Sequence, residues 1–237
     1  MKIKYKRVLL KLSGEGLMGD ESFGISPKVL QSLAHQIKNI VDSGVELCIV
    51  VGGGNIFRGA KGVSKGMNRT VADQVGMLAT LMNALCLQNA LEEKGVFVRV
   101  SSGLSVPQVC EDYMYRKAMR HLEKKRVVIF AGGTGNPYFT TDTGAVLRAS
   151  EMQCEAVLKS TQVDGVYSSD PRKDAKAVRY NEISYDEVIA KQLKVMDMTA
   201  VALAKENNMP IIVFSQHDDA SLEKIVQGKG TYTIIKN

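Results

Sequence analysis

Hydrophobic and polar positions along this chain follow two alternating patterns. Six short, largely apolar runs rich in Val and Ile occur at residues 7–12, 45–51, 97–100, 127–131, 156–158 and 211–214. Runs that are apolar on both faces are typical of strands buried in a parallel sheet. The segments between them repeat apolar residues at spacings of three and four, which predicts helices. We therefore predict an α/β fold, a three-layer α/β/α sandwich with a mainly parallel central sheet and right-handed crossovers.

Capping signals set the predicted helix boundaries. Ser26 followed by Pro27 predicts a helix start, and Gly44 ends that helix. A longer helix is predicted at 70–94, with 70–73 as a capping box and Gly95 as its stop. Its predicted inward residues are Val71, Val75, Leu78, Met82, Leu85 and Ala90.

Later segments give weaker signals. Further helices are predicted after Thr141 and at Ser184. Turn signals make 161–180 the least regular stretch, and it could be a loop that folds over a ligand.

Size and composition limit the function classes. The 237 residues, 45% hydrophobic and 24% charged, are enough to bury a substantial core in one large domain or two fused lobes. No apolar stretch approaches the roughly 18 residues that span a bilayer, and the N-terminus lacks the apolar region of a secretory signal. We predict a cytoplasmic protein with no membrane partner.

Cysteine, histidine and charge patterns argue against metal and nucleic-acid binding. Cys48, Cys86, Cys110 and Cys154 form no C-x-x-C pair and are predicted to be small core residues. No metal site is predicted, because His35, His121 and His217 lack ligand spacing. The net charge of +6 comes from scattered basic residues without interleaved aromatics. This favours a basic surface and anionic substrates over nucleic acid.

Three glycine-rich turns each follow a predicted strand, at 11–16, 52–59 and 132–137. Glycine allows close approach of the backbone to a ligand, and clustered N–H groups attract anions. In a parallel sheet these turns gather at the carboxyl edge of the strands. Together with nearby Lys11, Arg58 and Lys159, they predict phosphoryl transfer.

Two common phosphate motifs do not explain these turns. Gly14, Gly16 and Gly19 spell G-x-G-x-x-G, but the helix that should receive a pyrophosphate begins only near Pro27. The G-x-x-x-x-G-K-[ST] motif is absent. The phosphate site is therefore of another kind.

Individual residues each have a structural alternative. Lys11 at a strand end could bridge a transferring phosphoryl group or be a surface lysine. Asp142 could hold lysine ammonium groups or cap a helix. Gly52–Gly54 could serve close helix packing, and Arg58 supplies a planar fork for phosphate oxygens.

In this order, the loops closely resemble those of the bacterial UMP kinases (uridylate kinases), members of the amino acid kinase superfamily. The resemblance covers essentially the whole chain, through 11–14, 52–59, 66–69, 134–137, 139–142, 159–161 and 164–167. It implies the amino acid kinase fold as a single domain, with an acceptor-binding lobe at about 1–150 and an ATP-binding lobe at about 151–237.

The resemblance also implies the site residues. Lys11, Arg58, Asp142 and Lys159 are the implied catalytic residues, although Ser160 stands where small apolar residues are more usual. The implied ATP ligands are Lys11, Leu12, Ser13, Gly14, Gly54, Arg58, Thr161, Tyr167 and Asp170. The implied UMP ligands are Gly53, Asp73, Thr134, Gly135, Asn136, Pro137, Tyr138, Phe139, Thr140 and Thr141.

The implied reaction is direct in-line transfer of a phosphoryl group from ATP to UMP. The implied cofactor is Mg²⁺, held by nucleotide phosphates and water. The family further implies a homohexamer activated by GTP and inhibited by UTP. Its GTP-response segment would be Gly19, Asp20, Glu21, Ser22, Phe23 and Gly24. Two alternatives stay open, a sibling kinase acting on a carboxylate or carbamate and a nucleotide- or nucleic-acid-binding regulator without catalysis.

Overall fold

The computed structural model describes residues 3–64, 66–216 and 221–237. Within them, eleven strands and eight helices alternate along the chain. The strands are β1 Arg7–Leu12, β2 Glu46–Val51, β3 Val98–Ser102, β4 Glu111–Asp112, β5 Val127–Ala131, β6 Ala156–Thr161, β7 Val166–Tyr167, β8 Arg179–Tyr180, β9 Glu182–Ser184, β10 Ile211–Ser215 and β11 Thr233–Lys236. The helices are α1 Pro27–Asp42, α2 Gly59–Ser64, α3 Arg69–Glu92, α4 Tyr115–Glu123, α5 Thr141–Glu151, α6 Tyr185–Ala190, α7 Met198–Glu206 and α8 Ser221–Val226.

Nine strands form one sheet in the order β4-β3-β5-β2-β1-β6-β10-β11-β9. Neighbours pair in parallel except at β10–β11, where the pairing is antiparallel. Strands β7 and β8 form a separate antiparallel pair. All six predicted strands are present, so the prediction of a mainly parallel sheet is confirmed.

Helices cover both faces of the sheet, as predicted. Alternate side chains of each central strand enter two cores, with Leu10 facing α1, α3 and α8 and Leu9 facing the other helices. Both cores consist mainly of buried aliphatic side chains, and the second also contains Phe130 and Tyr185. Burial on both faces explains why these strands read as continuous apolar runs.

The predicted capping box of α3 was wrong, although the helix begins within one residue of the predicted start near residue 70. The Asn68 side chain accepts a hydrogen bond from Thr70 N, so α3 begins at Arg69 and residues 70–73 are not a capping box. By contrast, Ser184 accepts a hydrogen bond from Glu187 N and caps α6 as predicted.

Half of the predicted inward face of α3 was wrong, whereas Ala90 is buried and Leu85 packs against the core as predicted. Val71, Leu78 and Met82 are exposed by 46%, 49% and 54%, and Cys86 is exposed too rather than in the core. The buried face is instead rich in alanine and leucine, including Ala72, Leu81, Ala84, Leu87, Ala90 and Leu91. Small alanines let the helix approach the sheet closely, whereas periodicity alone cannot distinguish between two apolar stripes on one helix.

Helix α3 is also, among the described residues, the one helix long and apolar enough to cross a membrane by length and composition. It is a core helix of the fold, because its buried residues pack into the same core as strands β2, β3 and β5.

Apart from Cys86, the cysteines of the chain are buried or half-buried. Of the three histidines considered in the sequence, His217 lies outside the described residues.

Candidate active site

The carboxyl ends of the central strands bring the glycine loops together. Strand β1 lies between β2 and β6, and glycine loops follow both β1 and β2. The loops approach so closely that a Cβ atom on Gly14 would lie 2.6 Å from Asn55 Oδ1 and 2.7 Å from Gly52 O. Glycine is therefore required at position 14 for steric reasons.

Two lysines and one aspartate form the centre of this edge. Lys159 Nζ donates a hydrogen bond to Asp142 Oδ2 at 2.7 Å. Lys11 Nζ lies 2.7 Å from Asp142 Oδ1, as an ion pair without hydrogen-bond geometry. The three side chains are exposed by only 10% to 15%. Of the four residues predicted from the sequence to be catalytic, these three lie together and Arg58 does not.

The electrostatics of this group follow from its burial. Burial by itself would raise the pKa of Asp142, but the ammonium groups of Lys11 and Lys159 outweigh it and lower that pKa to about 2. Burial lowers the pKa of Lys159, and the charge of Asp142 opposes this effect. Asp142 is thus an ionised carboxylate that keeps two cations side by side.

Asp142 sits in the first turn of α5, and Asp197 secures that turn. Thr140 caps α5 by accepting a hydrogen bond from Asp142 N. The Thr143 hydroxyl donates to Asp197 Oδ1 at 3.0 Å, and Thr140 also donates to Asp197. Asp197 itself caps α7. Sequence reasoning missed Asp197, because nothing near position 197 marks its contact with residues more than fifty positions earlier.

Arg58 occupies a different position from the lysines. Its guanidinium pairs with Glu15 Oε1 at 2.7 Å, and the two side chains are exposed by 44% and 47%. Arg58 Nε also donates to Gly54 O at 3.4 Å. The arginine therefore lies at the rim, between the loops that follow β1 and β2.

A cleft of about 310 Å³ opens between α3 and the loop after β5, and Thr141, the neighbour of Asp142 in the chain, lines it. Asp73 lies in its wall, where Oδ2 accepts hydrogen bonds from Arg69 Nε and Tyr138 N, both at 2.8 Å. Of the predicted UMP ligands, the cleft is lined by Gly53, Asp73, Thr134, Asn136, Phe139, Thr140 and Thr141. Predicted ligands Gly135, Pro137 and Tyr138 do not line it and form the turn beside it.

Helix α3 supports both glycine loops at this cleft. Thr80 Oγ1 accepts a hydrogen bond from Gly132 N at 2.8 Å, and Asn83 donates to Gly52 O. A Cβ atom on Gly53 would lie 2.8 Å from Gly76 O of the helix, which explains the triple glycine. Neither Thr80 nor Asn83 was identified from the sequence, since each is an ordinary polar residue within an apolar helix.

Three predicted ATP ligands lie apart from the lysines. Thr161 ends β6 and donates to Val163 O, and Tyr167 donates to Asp164 at 2.6 Å. Asp170 accepts from the exposed guanidinium of Arg172. All three belong to the predicted irregular stretch, which contains the β7–β8 hairpin, and none of the three lines either of the two cavities described.

The segment predicted to respond to GTP lies near α1, on the same face of the sheet as α3, whereas Lys11 and Lys159 point to the other face. Gly19 and Asp20 line a second cavity of about 410 Å³ under α1, together with Ser13 and Leu12 of the predicted ATP set. Glu21, Ser22 and Phe23 are exposed, and Gly24 N donates to Asn55 O at 3.0 Å.

Comparison with known proteins establishes the family. The model of the amino acid kinase family matches residues 6–215. The chain belongs to the amino acid kinase family. It is 56% identical over 234 residues to the uridylate kinase of Paramagnetospirillum magneticum, covering 99% of this chain and 98% of that one. It is 59% identical to the uridylate kinase of Ruegeria pomeroyi, covering 98% and 93%.

Solved structures agree with the fold. The crystal structure of UMP kinase from Bacillus anthracis has a TM-score of 0.95 with this chain at 40% identity, covering 98% of this chain and 96% of that one. The amino acid kinase fold predicted from the resemblance is thus confirmed. Within this family, the chain groups with the uridylate kinases.

Proposed function

We propose that this protein transfers the γ-phosphoryl group of ATP to UMP, giving ADP and UDP in pyrimidine nucleotide biosynthesis. The observation that carries the proposal is the Lys11–Asp142–Lys159 group at the carboxyl edge of the sheet. It puts two adjacent cations at the strand ends, and Thr141, next to Asp142 in the chain, lines a cleft large enough for a ligand. In this family, the whole-chain identity to uridylate kinases selects UMP over a carboxylate or carbamate acceptor.

We assign the ATP phosphates to the loops after β1 and β2. The N–H groups of Gly14 and Gly54 donate no hydrogen bond to any described residue and are available to anions. Lys11, Leu12, Ser13 and Arg58 complete this phosphate region, while Thr161 at the end of β6 and Tyr167 and Asp170 after it would contact adenine and ribose. In this division, residues 1–150 bind mainly the acceptor and 151–237 mainly ATP.

We assign UMP to the cleft beside α3. Asp73 Oδ2 is occupied by Arg69 and Tyr138, which leaves Oδ1 to accept hydrogen bonds from the ribose hydroxyls. Gly53 and residues 134–141 would surround the phosphate and the base. The peptide N–H groups of Gly133 and Thr134 donate to no described residue, so they too can serve the ligand.

The proposed mechanism is direct in-line transfer without a protein nucleophile or general base. The acceptor phosphate is ionised near neutral pH, so no group has to remove its proton. Lys11 and Lys159 neutralise the charge that gathers between donor and acceptor, and Asp142 holds them at the required separation.

The divalent ion fits this site as part of the nucleotide. Within the described residues, no group of three acidic, histidine or cysteine side chains could hold a metal. Both oxygens of Asp142 face ammonium groups, so Mg²⁺ would be held by ATP phosphates and water, where it supplies further charge neutralisation.

We also propose that a second copy of the chain covers the exposed stripe of α3. Val71, Leu78 and Met82 lie on one side of the helix, and an exposed apolar stripe of this length marks an association surface. A homo-oligomer, with a hexamer as the expected form, and responses to GTP and UTP would follow from the family. A cytoplasmic location accords with these substrates.

One assay tests the function. ADP formation from Mg-ATP is measured with UMP, CMP, AMP, glutamate, acetylglutamate and carbamate as acceptors, each with and without GTP and UTP. We expect turnover with UMP well above all others. Equal or greater turnover with a carboxylate or carbamate would overturn the proposal, and so would salt-sensitive DNA binding without UMP-dependent ADP formation.

A further inference from the structure

We propose that Asn83 of α3 is a positioning residue for phosphoryl transfer. Through a buried amide pair with Asn55, it would fix the loop at 52–54 so that its N–H groups face the phosphates. The inference rests on the proposed function in assigning phosphates to this loop. Asn83 itself does not line the cleft and has no contact with the lysine group.

The two side chains form a reciprocal pair. Asn83 is fully buried and Asn55 is 2% exposed. Asn83 Nδ2 donates to Asn55 Oδ1 at 2.7 Å, and Asn55 Nδ2 donates back to Asn83 Oδ1 at 2.9 Å. An unsatisfied buried amide is costly, so this pairing defines one arrangement of both side chains.

The remaining amide hydrogens connect the pair to two backbone segments. Asn83 Nδ2 donates to Gly52 O at 2.6 Å, at the carboxyl end of β2. Asn55 Nδ2 donates to Gly24 O at 2.8 Å, and Gly24 N returns a hydrogen bond to Asn55 O. The pair therefore joins α3, the loop after β2 and the 19–24 segment, which are distant in sequence.

This network acts on the orientation of the phosphate loop. The Gly52 carbonyl accepts from Asn83, and the Gly53 carbonyl accepts from Ile56 N and Phe57 N at 3.0 and 2.9 Å. The N–H groups of Gly53 and Gly54 donate to no residue that the structure describes. Because hydrogen bonds hold the two carbonyl groups, the N–H groups of Gly53 and Gly54 remain available to bind an anion.

The test compares Asn83→Leu, which keeps the side-chain size but removes the hydrogen bonds, with Leu87→Ala. Leu87 is fully buried one turn along the same helix, so its truncation destabilises the core without touching the loop. Both variants are assayed as folded protein, with unfolding midpoints measured alongside. A double-mutant cycle is formed by Asn55→Ala, Asn83→Ala and the variant that carries both substitutions.

If Asn83 positions the loop, Asn83→Leu lowers kcat by about a hundredfold, as expected for small displacements of reacting groups, and changes the KM values much less. Leu87→Ala should keep kcat within about twofold of the parent. The double variant of Asn55 and Asn83 should lose no more kcat than either single variant, because the pair acts as a unit. A folded Asn83→Leu with the kcat of Leu87→Ala would overturn the inference.

Hydrogen–deuterium exchange supplies a readout that needs no turnover. Amides at 14–26 and 52–57 should exchange faster in Asn83→Leu than in Leu87→Ala, with Mg-ATP present in both. Unchanged exchange at 52–57 would overturn the inference. If the parent fails to convert UMP, the proposed function fails instead, and exchange still decides whether Asn83 holds the loop.

Discussion

Lys11 and Lys159 occupy directly paired positions on the adjacent parallel strands β1 and β6. The pairing points both side chains to the same face of the sheet, where Asp142 at the start of α5 contacts both. Two like charges this close repel, so the carboxylate is what allows them to stay charged together. The register of two strands thus creates a double cation at the sheet edge.

Replacing either lysine should remove transition-state stabilisation. We expect Lys11→Ala and Lys159→Ala each to reduce kcat by about a hundredfold or more, since each removes a preorganised charge. Steady-state kinetics on folded protein would measure this. Lys38→Ala, which changes an exposed lysine paired with Asp42 on α1, should leave kcat unchanged. Near-normal turnover of Lys11→Ala would contradict the assignment.

The low pKa of Asp142 predicts a specific loss of stability in acid. Its pKa is about 2 in the folded protein against an ordinary 3.8, so its stabilising effect is complete above about pH 4 and is lost as pH falls towards 2. The parent's advantage over Asp142→Asn in free energy of unfolding should therefore shrink by about 1.5 kcal/mol between pH 6 and pH 2.5. Urea unfolding from pH 6 down to pH 2.5 measures it.

Asp42→Asn is the control for the acid prediction, because Asp42 is 58% exposed in a helix-surface ion pair. Its effect should stay small at every pH, as surface pairs contribute little. A constant difference between the parent and Asp142→Asn from pH 6 to pH 2.5 would show that the two lysines do not lower the pKa of Asp142.

Glu15 competes with phosphate for Arg58. Because their ion pair is exposed, Glu15→Gln should change the free energy of unfolding by less than about 1 kcal/mol. Freed from the carboxylate, Arg58 should bind ATP phosphates more readily and lower the KM of ATP a few-fold. Arg58→Ala should raise it. Initial rates at varied ATP concentrations measure the KM of ATP in both variants. A raised KM of ATP in Glu15→Gln would contradict the proposed competition.

Replacing Asp73 should weaken the binding of the acceptor UMP without weakening that of ATP. Asp73→Asn weakens a charged hydrogen bond to the ribose, so the KM of UMP should rise by about tenfold or more while the KM of ATP stays within twofold. Discrimination between UMP and dUMP should shrink as well. A change confined to the KM of ATP would show that Asp73 acts on ATP binding and not on UMP binding.

Met82 tests the association surface on α3. Met82→Glu puts a charge at the most exposed residue of the stripe and should shift sedimentation velocity towards smaller species. Met198→Glu is the matched control, since Met198 is also a methionine, 47% exposed, but begins α7 on the other side of the sheet. An unchanged assembly in Met82→Glu would show that another surface carries it.

Local sequence patterns were enough to predict the parallel sheet, the helices that begin at Pro27, Thr141 and Tyr185, and the glycine loops at the strand ends. Buried strands need continuous apolar runs, caps need particular side chains, and close backbone approach needs glycine, so these features are written locally. The identity of Lys11, Asp142 and Lys159 as candidates also came from local position and motif.

The stripe of α3 that faces the core could be identified only in the folded protein, because both stripes are apolar and the choice depends on how closely the helix can approach the sheet. The tertiary structure also determines the contacts between distant segments, such as Asp197 with Thr143 and Asn83 with Asn55. A buried polar residue is satisfied by whatever partner folding brings to it, and spacing along the chain carries no record of that partner.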